Sequence, residues 1–117
     1  MTTLTPYEIE VINLIEKGII THVGKSNAVT SKYIISKMKE RGYKINGAVI
    51  RNAMHHLRTV RNLFICGDHL GYYIASNAEE KEHQIKSLSS RIREITEVRD
   101  ALIRIRTNKI QQESLSI

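Results

Sequence analysis

The alternation of apolar and polar positions changes period along the chain, and the changes mark out its elements. In TPYEIEVINLIEKG, residues Thr5 to Gly18, the residues Ile9, Val11, Ile12, Leu14 and Ile15 cover more than one face and predict a well-buried first helix. Thr5 suits the N-cap, Pro6 the first helical position and Glu8 the third, which completes a capping box, and Gly18 is a natural stop. Ile19 to Val23 reads as a short strand. The segment TSKYIISKMKERG predicts a second helix, capped by Thr30 or Ser31, striped by Ile34, Ile35 and Met38, and ended by Gly42. Asn46 opens a third helix from Gly47 to about Thr59.

After Arg61 the period shortens to two. LFIC and YYIA predict strands around the turn GDHLG, and hence a small β-hairpin that must pack on the helices to persist. Asn77 then caps a fourth helix, with Glu80 at its third position, running to about Arg106, or ~43 Å at 1.5 Å per residue. That is longer than a small core needs. Ile85, Leu88, Ile92, Ile95 and Leu102 recur along it at three- and four-residue spacing, with Ile105 beyond and Val98 or Arg99 at the intervening seam position. Pairing with a second chain is the favoured reading of this stripe. Packing back on its own domain is the other, and an Arg99 or Arg106 in the seam would weaken a pair.

The order of helices and hairpin predicts a mainly α fold with a small β-hairpin. That order is the one expected of a winged helix-turn-helix domain followed by a long C-terminal dimerisation helix. The expected division is the winged helix-turn-helix domain over residues 1–76, a coiled-coil-like helix over 77–110 and a frayed tail over 111–117.

The 117 residues suit one modest core, and no run approaches a membrane span. The start, MTTLTPYEIE, shows no signal peptide, and the single cysteine, Cys66, fits a reducing interior, so the expected location is cytoplasmic. The net charge of +6 is unevenly placed. Between Gly24 and Arg61 stand Lys25, Lys32, Lys37, Lys39, Arg41, Lys44, Arg51, Arg58 and Arg61 against the single acid Glu40, whereas beyond Ala78 the charges nearly balance. Such a segment attracts phosphate, or is simply a solvated basic surface.

Within it lies KINGAVIRNAMHHLR. On a helical wheel Val49, Ile50, Ala53, Leu57 and Val60 form the core face, while Ala48, Arg51, Asn52, His55, Arg58 and Thr59 point the other way. His56 falls at the boundary, about 100° from His55, so the two histidines do not chelate one ion together. Cys66 and His69 have C-x-x-H spacing but no second half. GKS invites a phosphate-loop reading, but Gly18 and Gly24 are one residue too far apart for it. No catalytic, metal or cofactor set is expected.

The polar face does match major-groove chemistry. Arg51 can donate two hydrogen bonds to guanine, Asn52 can pair with adenine, and His55 between them can meet a base or a phosphate. Asn46 and Gly47 would offer helix-terminal N–H groups to a phosphate, Lys44 and Arg58 would bracket the duplex, and Lys25 and Lys32 would approach its backbone.

The stretches AVTSKYIISKM, INGAVIRNAMHHLR and LFICGDHLGYYIASNAEEKEHQIKSLSSRIREI together resemble small winged helix-turn-helix proteins of bacteriophages and prophages, over roughly Ala28 to Ile105. The most specific part is IR in the third helix, followed by GYYIA, a cap and SLSSRI. The resemblance implies a cytoplasmic DNA-binding protein acting in gene regulation or phage replication, with Asn46 to Thr59 as its reading helix. One departure stands out: the hairpin tip, Gly67 to Gly71, lacks the Lys or Arg that many wings carry into the minor groove. The expected partners are therefore double-stranded DNA and a second copy of the chain, with no membrane. A host or phage protein is the competing partner, because winged helices also serve as interaction modules.

Overall fold

In the computed structural model, residues 3–107 are described; the expected tail and the last expected helical residues, 108–110, lie outside them. The chain divides into two compact units, Met1–Glu82 and His83–Ile117. The first contains α1 (Pro6–Ile19), a single 3-10 turn (Lys25–Asn27), α2 (Ser31–Glu40), α3 (Gly47–Thr59) and the strands β1 (Ile65–Asp68) and β2 (Gly71–Ile74). The helix α4 (Ala78–Thr107) starts at its end and makes up the described part of the second unit. The fold is thus mainly helical, with one antiparallel hairpin and a long C-terminal helix.

The helix starts follow from local chemistry. Thr5 and Glu8 form the full capping box, with the Thr5 hydroxyl accepting from the Glu8 N–H and the Glu8 carboxylate from the Thr5 N–H. Thr30 caps α2 and Asn46 caps α3, each through its side-chain oxygen. Gly42, at φ +86°, reverses the chain after α2.

The core forms where α1 and α3 pack together and α3 meets β1. Ile50, Met54 and Leu57 of α3 are fully buried with Ile65, and Val11, Ile12, Ile15 and Ile19 cover them from α1. Four expectations are corrected here. Gly18 does not stop α1; the helix continues to Ile19, whose burial four residues after Ile15 outweighs the glycine's entropy cost. Ile19 to Val23 is therefore no strand, and Val23 contributes one parallel bridge to Ile74. Val60 is exposed, because it is the C-cap of α3, while the flexible Met54 fills the core instead. Ile9, likewise, is exposed, so α1 buries one face only.

The hairpin turns over two residues, His69 and Leu70, with Asp68 opposite Gly71 and Ile65 opposite Ile74. Leu63 and Phe64 fall outside it, so β1 sits later in the chain than LFIC predicts. A two-stranded hairpin is marginal alone. Here its outer edge is covered: Tyr72 and Val29 exchange backbone hydrogen bonds (2.8 and 2.9 Å), and Ile74 bonds to His22 and Gly24 (2.8 Å each). The approach at Val29 requires Gly71, where φ is +122° and a Cβ would lie 2.2 Å from the Val29 carbonyl oxygen.

Asn77 caps α4 by accepting from the Glu80 N–H at 2.8 Å. The Glu80 carboxylate does not close the box on Asn77. It accepts instead from the Ser76 N–H and hydroxyl (2.8 and 2.9 Å) and from the Lys25 N–H (3.0 Å), fastening the loop before α2 to the start of α4. Hydrogen bonds from the Ser76 backbone first, and the Lys25 backbone second, hold its carboxyl below the ordinary 4.5.

Two outcomes are expected. Gly71→Ala lowers stability in urea denaturation by about 2 kcal/mol or more, because strain and a backbone clash combine, whereas Gly42→Ala, with open space around it, costs only about 1 kcal/mol. Glu80 is stabilising when ionised and its folded pKa is depressed, so its contribution is present above pH 4.5 and is lost as the pH falls through the folded value. The gap in denaturation midpoint between the native chain and Glu80→Gln is therefore widest near neutrality and narrows on acidification.

Candidate nucleic-acid interface

The candidate interface begins with the orientation of α3. Because Ile50, Ala53, Met54 and Leu57 are buried, Ala48, Arg51, Asn52, His55 and Thr59 are held outward and exposed. Asn46 spends its side-chain oxygen on the Val49 N–H at 3.1 Å, so its first role is to cap the helix. A Cβ on Gly47 would lie 3.5 Å from Arg51 Nη1, which places the Arg51 guanidinium back over the first turn. No described residue forms an ion pair with Arg51, which is exposed, as are Asn52 and His55. The Thr59 hydroxyl donates to the His55 carbonyl at 2.7 Å, leaving the His55 ring exposed.

The two histidines divide as the wheel expects. His55 is exposed and His56 half-buried, with the His56 carbonyl accepting from the Val60 and Arg61 N–H groups where α3 ends. Arg58, placed on the outward face by the wheel, is half-buried. Its Nε donates to the Ile65 carbonyl at 2.8 Å and its Nη2 lies against Gly67, so the side chain ties α3 to β1 rather than standing free to bracket a duplex. Arg61 is likewise bound, in an ion pair with Glu16.

Of the lysines, Lys32 and Lys44 are exposed, and Lys44 stands two residues before the α3 cap. Lys25 has its Nζ 4.0 Å from the Asp68 carboxylate and its N–H on Glu80. That second contact puts a carboxylate where a phosphate loop would need an anion site, so GKS is a structural turn. Lys37, Lys39 and Arg41 belong to the same basic segment but are not among the expected contacts. All three are exposed around α2, and Lys37 lies 3.6 Å from Glu40 and over the Tyr33 ring.

The hairpin tip carries Asp68, His69 and Leu70, and the Asp68 carboxylate accepts from the Leu70 N–H at 2.8 Å. Cys66 is fully buried, with its thiol donating to the Glu80 carbonyl at 3.8 Å. Burial pushes that thiol up, and burial also pushes the Tyr73 hydroxyl up to about 12. Neither group is poised to ionise, so C-x-x-H here is part of the core and turn. Among the described residues no three His, Cys, Asp or Glu side chains converge on a metal position. A cleft of about 390 Å³ between α1 and α2 has Ile15, Ile19 and Met38 among its lining and holds no carboxylate or cysteine. It uses no residue of α3.

In the second unit the aliphatic stripe lies exposed: Ile85, Leu88, Ile92, Ile95 and Leu102 are 38–66% accessible. Val98 is as exposed, and Arg99 is held by two hydrogen bonds to Asp100 (3.1 and 3.0 Å). No helix among the described residues is long and apolar enough to cross a membrane.

Arg51 and Arg58 therefore separate in a stability measurement. Arg58→Ala removes a part-buried hydrogen bond and costs about 1–2 kcal/mol in denaturant, while Arg51→Ala stays within about 0.5 kcal/mol of the native chain. Comparison of the chain with protein-family models, curated proteins and solved structures finds no match in any of the three.

Proposed function

We propose that this chain is a sequence-specific double-stranded DNA-binding protein of the winged helix-turn-helix type, acting as a homodimeric regulator of phage or prophage transcription in the host cytoplasm. The observation that carries the reading is the outward face of α3. Arg51, Asn52 and His55 stand exposed on a helix whose opposite face is fully buried, within the most basic segment of the chain. A helix so anchored presents its donors in one orientation, and Arg and Asn carry the bidentate chemistry that distinguishes guanine and adenine. Lys44 and Lys32 would supply phosphate contacts that position α3 without reading sequence. The hairpin would serve as a wing that packs rather than reads, because its tip carries Asp68, already met by Lys25, and no Lys or Arg.

A replication-origin protein would use the same contacts, and the genomic position of the bound site separates it from a regulator. A protein-interaction module is the second reading, favoured by that acidic tip and by the exposed stripe of α4.

The test is fluorescence anisotropy with labelled duplex at two salt concentrations, followed by selection of a preferred site. Affinity falls steeply with salt. Arg51→Ala weakens the preferred site by about 1–3 kcal/mol and relaxes preference at one base, while Lys44→Ala weakens all sequences alike and lowers the salt slope by about one. No binding at low salt would overturn the DNA reading, and a stoichiometric protein complex free of DNA would support the second.

A further inference from the structure

The apolar stripe of α4 has a symmetry that a heptad description misses. From Ile85 through Leu88, Ile92, Ile95, Val98 and Leu102 to Ile105 the steps are three, four, three, three, four and three residues. The series reads the same from either end, with Ile95 at its centre. All seven side chains are exposed. Two such helices laid antiparallel about Ile95 stack Ile85 on the partner's Ile105, Leu88 on the partner's Leu102 and Ile92 on the partner's Val98, with Ile95 on its own copy. Every layer is then aliphatic on both sides.

A parallel pair in register would also stack aliphatic on aliphatic, so charge must choose between the two. The first turn of α4 holds Glu79 and Glu80 and its last turn Arg104 and Arg106. Parallel pairing gathers like charges at each end, with Arg106 facing its own copy beside the seam. Antiparallel pairing keeps the two Arg106 ends apart, sets Arg93 against the partner's Glu97 twice while leaving Arg104 near the partner's Lys86 and Arg91 near the partner's Arg99, and opposes the two helix macrodipoles. Arg99, which flanks the stripe, already has its charge met by Asp100. The exposed stripe would bury on the order of 700 Å² per chain, close to the ~800 Å² per partner of a stable interface. Its mean spacing of about 3.3 residues is shorter than the helical repeat and turns the pair left-handed.

We infer that α4 is the docking surface for a second copy of this chain, paired antiparallel about a two-fold axis at Ile95. This rests on the reading of α4 as a dimerisation helix. The experiment uses the full chain in two versions, Leu88→Cys and Leu102→Cys, one carrying a size tag. Both positions are exposed and native Cys66 is fully buried, so the fold of the first unit is untouched and the new thiol is the accessible one. Mass in solution is measured first, and the versions are then mixed, refolded together and mildly oxidised. A dimeric mass with the mixed 88–102 disulfide at least about tenfold over either self-linked species is the expected result, because in a parallel pair those positions lie about 21 Å apart. A dimer dominated by 88–88 and 102–102 links overturns the antiparallel direction and keeps the dimer reading. A monomeric mass for the native chain overturns both.

Discussion

Burial of one side of α3 is the interaction on which the rest of the structure depends. Ile50, Ala53, Met54 and Leu57 are nearly inaccessible, and they contact the inner face of α1 and the start of β1. Apolar burial of this completeness stabilises by about 1.5–3 kcal/mol for each large side chain. It also removes rotational freedom from the helix. A helix locked by one face displays the other in a defined orientation, and Arg51, Asn52 and His55 are held outward for that reason. Rigid display of polar groups is what reading a base edge requires, since bidentate contacts tolerate little angular error.

The hairpin illustrates how a marginal element is kept. Two four-residue strands do not persist alone, and these are held by contacts from three directions. Residues before α2 cover the outer edge through backbone hydrogen bonds, the Arg58 guanidinium reaches across from α3, and Cys66 and Tyr73 fill the space beneath. Glu80 joins the same assembly by binding the N–H groups of Lys25 and Ser76. Several residues whose charge suggested a ligand thus serve the fold. Arg58, Arg61 and, in part, Lys25 have contacts within the chain, and the polar surface left for a partner is narrower than the sequence charge implies.

The second unit obeys different energetics. A single helix in water is marginal even at this length, and its stability in proteins comes mostly from packing an apolar face. In α4 that face is exposed along most of its run, with Ile92, Ile95 and Leu102 all more than half accessible. A stripe of this kind is costly in isolation and is the ordinary signature of an interaction surface.

Much of the local chemistry was legible in the amino-acid sequence, although the α2 cap was open between Thr30 and Ser31 until the structure chose Thr30. The caps at Thr5, Thr30, Asn46 and Asn77, the span of α3 from Gly47 to Thr59, and the aliphatic spacing of α4 all follow from side chains acting on backbone groups three or four residues away. The outward placement of Arg51, Asn52 and His55 followed as well, because helical period alone separates them from Ile50 and Leu57. Contacts between residues distant in sequence were decided only by the tertiary structure. Nothing local to Arg58 distinguishes it from Arg51, yet one lies against the Ile65 carbonyl and the other in solvent. The Glu80 carboxylate abandons its own cap for an N–H fifty-five residues earlier, and Gly71 is needed because Val29 passes close by. Periodicity reports which side of an element is buried, whereas which polar groups are consumed by the fold depends on which backbone atoms packing brings within 3 Å of them.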